Sequence, residues 1–164
     1  MKCGIFLGLL KAVCLCLLAL MPVSAQAQNV RITKLSDVAF GSIANFSIDQ
    51  TSSQSICVYT SPLGTLYQVT ATGDGAGGAF TLLSGGSTMP YEVQWAAIAG
   101  QTTGTSLTAG LPLSNQATVA EHHLCNGSGP ATSASLITVL RSATVGSARS
   151  GSYTGVLTLL IAPN

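Results

Sequence analysis

Gly151-Ser-Tyr-Thr-Gly-Val-Leu-Thr-Leu-Leu-Ile-Ala-Pro-Asn164 reads as a β-strand that runs to the last residue of the sequence. At the two-residue period Tyr153, Leu157, Leu159 and Ile161 share one face, with Gly155 among them. Thr154, Val156, Thr158 and Leu160 share the other. Neither face is strongly polar, so the strand is expected to be covered on both sides. An apolar segment in this position needs something to tie it down. It raises the question of what covers it, and whether this chain alone supplies the cover.

At the other end, Lys2 precedes an apolar run from Ile5 to Leu20 that only Lys11 interrupts. Pro22 and Ser24-Ala25-Gln26-Ala27 follow, and an Ala-x-Ala site marks a secretory signal peptide over 1–27. The run is short for a membrane span, which needs about 20 apolar residues. Cys14 and Cys16 lack the context of a lipid-attachment site. Residues 28–164 remain, a length suited to one domain.

The charged residues of that domain are Arg31, Lys34, Arg141 and Arg149 against Asp37, Asp49, Asp74, Glu92 and Glu121. A near-neutral balance argues against nucleic acid or an anionic membrane surface as partner. Thr, Ser, Gly and Gln supply the polar surface instead, as in secreted β-proteins and packed subunits. Only Cys57 and Cys125 lie beyond the signal peptide, and two cysteines in an exported chain most simply form one disulfide. Closing so long a loop contributes about 4 kcal/mol by the chain-entropy argument. A zinc site on His122, His123 and Cys125 is the rival reading, but it lacks a second paired ligand group. No metal or cofactor is expected.

Helix signals are nearly absent after residue 28. Asn29–Leu35 alternates around Val30 and Ile32, and Asp37–Ile43 reads as a second short extended piece. Ser55–Thr60 is a strand. Leu66–Thr72 and Ala79–Leu83 flank Gly73-Asp-Gly-Ala-Gly-Gly78 and read as a hairpin. In Tyr91-Glu-Val-Gln-Trp95 the aromatic and aliphatic residues point inward, which makes Trp95 a core residue. Short strands are expected at 106–108, 117–120 and 135–141, with a small-residue connection over 143–150. Seven to nine short strands separated by turns indicate an all-β, immunoglobulin-like sandwich.

No constellation for catalysis stands out. Gly73, Gly75 and Gly78 match a dinucleotide fingerprint, but no helix pattern follows them to face a pyrophosphate. Glu121, His122 and His123 cluster without a nucleophile, and the carboxylates are scattered singly. Asn45-Phe-Ser47 and Asn126-Gly-Ser128 are glycosylation sequons by chance. The chain is expected not to be an enzyme.

Cys57-Val-Tyr-Thr60, Tyr67-Gln-Val-Thr-Ala-Thr-Gly73, Gly78-Ala-Phe-Thr-Leu82, Met89-Pro-Tyr-Glu-Val-Gln-Trp95 and the closing strand together resemble a bacterial pilin-like domain. The group is similar to the spore coat U subunits of archaic chaperone–usher pili, and the likeness covers most of 35–164. The resemblance implies a sandwich that lacks its last strand. A periplasmic chaperone, and then the N-terminal extension of a neighbouring pilin, would fill the gap by donor-strand exchange. An usher and neighbouring subunits would be further partners, and the route would run through the periplasm to a cell-surface pilus. On this sequence the extension is 28–35, with Val30 and Ile32 as plugs. The acceptor groove would include Tyr153, Leu157, Leu159 and Ile161. The alternative is a self-contained secreted adhesin or ligand-binding module.

Overall fold

The computed structural model describes residues 27–164. The signal-peptide reading, apart from Ala27, lies outside the described residues. Two sheets share one core. The larger holds five antiparallel strands in the order β1 (Asn29–Thr33), β2 (Gln50–Ser61), β9 (Ala134–Leu140), β6 (Glu92–Ala96) and β7 (Thr105–Ser106). The smaller runs β10 (Leu157–Pro163), β3 (Tyr67–Gly73), β8 (Leu113–Gln116). A separate hairpin joins β4 (Thr81–Ser84) to β5 (Ser87–Pro90).

The core forms where the inward faces of both sheets meet. Ile56 and Val58 from β2, Val93 and Trp95 from β6, and Leu136 from β9 pack against Tyr67, Val69 and Ala71 from β3. Trp95 is 1% exposed, as its alternating context requires. Its indole N–H donates to the Tyr67 hydroxyl at 3.2 Å, so the polar tip of each ring is satisfied inside the core. Burial, against that hydrogen bond, pushes the Tyr67 hydroxyl up to about 12. A raised folded value means that stability is fully present below pH 10 and is lost as pH rises towards 12. We expect urea titrations to show a loss of about 2–3 kcal/mol across that window. A Tyr67→Phe chain should lack this part of the slope and cost about 1 kcal/mol at neutral pH. Equal slopes in the two chains would contradict the assignment.

β9 is buried along its whole length, between β2 and β6 at its edges and beneath the 98–101 segment, which bonds Ser135. The two-sided cover expected of the C-terminal strand belongs to β9 instead. The outward residues here lie open, with Val156 just before β10 at 62% and Leu160 on it at 63% exposure. Among the described residues no layer lies over this outward face, and Thr158 between the two makes that tolerable.

The hairpin expected across Gly73–Gly78 is not formed. β3 is paired on both sides, by β10 and β8, while β4 turns into β5 through Gly85 and Gly86. Both of those glycines have positive φ, the requirement of a two-residue hairpin turn. The glycine-rich segment makes a 3₁₀ turn over Ala76–Gly78, with the Gly75 N–H bonded to the Ala79 carbonyl. It does not open a helix of dinucleotide-binding kind. A Cβ on Gly73 would meet the Ala79 carbonyl oxygen, so the chain can double back there only with glycine.

Three further expectations shift. The connection after β9 contains a helix, α1 (Ser142–Ser147). Asp49 accepts a hydrogen bond from the Ser142 N–H at its start, and Val145 is buried against Met89 and Leu140. The strand expected at 117–120 lies earlier, as β8, because the Thr118 hydroxyl bonds the Val58 carbonyl from a loop. Residues 37–43 form no strand.

Candidate functional site

β10 ends its sheet. One edge pairs with β3 from Leu157↔Gly73 to Pro163↔Tyr67, and the other edge has no partner strand among the described residues. Its run-in is pinned. Thr154 and Leu83 exchange both backbone hydrogen bonds, and the Val156 N–H donates to the Asp74 carboxylate at 3.1 Å. Gly155 lets that crossing come close, since a Cβ there would meet the Thr81 carbonyl at 2.8 Å.

On the inner face Leu157, Leu159 and Ile161 reach the main core but stay half-buried, whereas Tyr67, Val69 and Ala71 on the neighbouring strand are fully buried. The difference is a cleft of about 600 Å³ between the sheets, on the β10 side. Leu157, Leu159, Leu82, Tyr91 and Leu136 form its apolar wall, and Leu35, Val38 and Phe40 cross its mouth. Asp37 is its one charged lining residue. Burial first, then the Asp74 carboxylate, raises the Tyr91 hydroxyl and keeps it neutral. A second cleft, about 750 Å³, continues from the first through Phe40, Leu82 and Tyr153 towards α1.

Of the acceptor residues named from sequence, Leu157, Leu159 and Ile161 come together. Tyr153 packs in a separate cluster with Met89, Leu140 and Val145, at the junction of the two clefts. The plugs Val30 and Ile32 pack on the same core as Leu157, Leu159 and Ile161, within their own chain. β1 pairs with β2 in the register Val30↔Thr60 and Ile32↔Val58, and lies near β10. The sequence reading missed Leu35, Phe40, Leu82, Tyr91 and Leu136 as groove residues. Only the alternation of Phe40 and Tyr91 within apolar stretches pointed to them.

Cys57 and Cys125 form the disulfide, with Cα atoms 5.9 Å apart. Cys125 is thus no thiolate ligand beside His122 and His123, whose rings stack 4.1 Å apart. Burial, then the charges of His122 and Arg31, holds His123 below its usual value. Among the described residues no three His, Cys, Asp or Glu side chains gather as a metal site. No helix among them is long and apolar enough to cross a membrane.

Two antiparallel sheets around one core, with β10 at the edge of the smaller, make an all-β fold. Among solved structures the chain is similar to one from a chaperone–tip adhesin complex in CFA/I fimbriae biogenesis. The TM-score is 0.52 at 14% identity, over 83% of this chain. The match spans 43% of that chain's length. The likeness is one of fold. No protein-family model matches the sequence, and no curated protein does.

Proposed function

We propose that the chain is an exported, non-enzymatic subunit of a surface pilus, of the spore coat U kind, whose groove accepts an extended strand from a neighbour. The observation that carries this reading is the half-buried inner face of β10 beside the apolar cleft and an edge that has no partner strand among the described residues. Main-chain groups on such an edge supply affinity, and alternate side chains fill the pockets. The chain carries a strand that suits it. Val30 and Ile32 already meet this core in cis, so the segment of a second copy offers the same chemistry in trans. Head-to-tail repetition of that contact gives an open fibre. A periplasmic chaperone would hold the groove before assembly, and an usher would export the subunit.

A second reading, a self-contained adhesin, is favoured by the pairing of β1 with its own β2. A synthetic peptide of residues 28–35 separates the two. Added to the purified full chain at a hundredfold excess over its Kd, it should stabilise the fold by about 2.7 kcal/mol. It should also slow hydrogen exchange along β10. A peptide with Asp at the positions of Val30 and Ile32 should do neither. A strictly monomeric chain that ignores both peptides would favour the self-contained module.

A further inference from the structure

The segment that leaves β1 is fastened at two points, and neither fastening is part of the sheet. Lys34 sits at φ +65°, a backbone region that a lysine adopts only when its surroundings hold it there. Its ammonium donates to the Ala131 carbonyl at 2.6 Å and the Cys125 carbonyl at 3.2 Å. Both acceptors lie on the loop that the disulfide ties to β2. Two residues on, the Gln54 side chain treats Ser36 as a neighbouring strand would. Its Oε1 accepts from the Ser36 N–H at 2.9 Å, and its Nε2 donates to the Ser36 carbonyl at 3.1 Å. On its β9 side Gln54 pairs by its backbone with Leu136, so the side-chain clasp works from the opposite edge of β2.

The β1–β2 seam is paired along its backbone but leaves two side-chain hydroxyls unsatisfied. The hydroxyls of Thr33 and Thr60 are buried and have no hydrogen-bond partner among the described residues. Each lies on one of the two paired strands, Thr33 opposite Cys57 and Thr60 opposite Val30. Buried hydroxyls without partners count against a docked state. The polar fastenings thus add to what the strand pairing and the packing of Val30 and Ile32 supply to the cis arrangement.

We infer that Lys34 and Gln54 form a two-point latch that holds residues 29–40 against their own groove and sets how readily the groove takes a strand from another copy. This rests on the strand-accepting role proposed above, and it adds the regulation of that site. Opening the latch frees Val30 and Ile32 to leave and draws Leu35–Phe40 off the mouth of the cleft. The loop carbonyls at 125 and 131 and the Gln54 amide are then free to receive the same segment of a second copy.

The test compares the wild-type full chain with Gln54→Ala and Lys34→Ala chains. It follows uptake of a fluorescent 28–35 peptide, and hydrogen exchange without peptide. Each substitution should speed uptake by about tenfold, the scale of losing a charged or paired hydrogen bond. Exchange over 29–36 should rise while β3 and β9 stay protected, which also verifies folding. Unchanged uptake together with unchanged exchange would overturn the latch and leave the groove intact. Released exchange with no uptake by any chain would support the latch and overturn the strand-accepting role.

Discussion

Mixing an Ile32→Glu chain with a Leu159→Glu chain is expected to yield heterodimers and nothing longer. Ile32 belongs to the strand that would be given, and Leu159 to the groove that would receive it. An unpaired carboxylate buried at a strand interface costs about 3–5 kcal/mol, or roughly 10²–10⁴ in affinity. The first chain therefore keeps an accepting groove and loses its plug, while the second keeps its plug and loses its groove. Alone, each should sediment as a monomer. Together, one intact plug meets one intact groove, and the pair has no working end left to extend. Leu160→Glu is the control, because that residue lies on the same strand but faces outward at 63% exposure. It should assemble as wild type does. Sedimentation velocity decides the matter. If both groove and plug variants still form the wild-type series of oligomers, the head-to-tail strand contact is wrong.

Loss of the disulfide is the second large effect. Cys57→Ser should lower the free energy of unfolding by about 4 kcal/mol, the loop-closure scale for residues 68 apart. The site amplifies the loss. Cys57 and Cys125 are both buried, in a small cluster with Ala120 and against Tyr59. The loop they anchor covers one edge of β2 near Val58 through Ser133, and it carries the carbonyls that hold Lys34. Reducing the wild-type protein should reproduce the drop, and the double Cys57→Ser, Cys125→Ser chain should match the single variant. A urea midpoint indifferent to reductant would show that the crosslink does not constrain the fold.

Several features were legible in the sequence because they are local. Alternation in Glu92–Ala96 and Tyr67–Gly73 places Val93, Trp95, Tyr67 and Val69 inward whatever the partners are, and these became core. The pairing of Cys57 with Cys125 follows from having two cysteines after residue 28. Partners were not legible. β3 takes β10 and β8 as neighbours and leaves β4 to its own tight turn, a choice among alternatives with similar local patterns. α1 was invisible because Ser142–Ser147 has little helix propensity, and its support comes from Asp49 and from the burial of Val145. Residues 37–43 carry a strand-like pattern and form none; just before them the Gln54 side chain takes the Ser36 N–H and carbonyl in place of a strand ladder.

The C-terminal strand divides these two kinds of information. Its apolar inner face, Leu157, Leu159 and Ile161, is determined by a two-residue period that any extended chain must obey. The sequence by itself also determined an all-β chain with one disulfide and a core tryptophan. Only the tertiary structure decided that this face stays half-covered, that β10 has no strand on its outer edge among the described residues, and that the chain's own β1 lies against the same core. The reason is that periodicity specifies which side chains share a face, whereas cover depends on which other segments reach that face. That second question is answered by long-range packing.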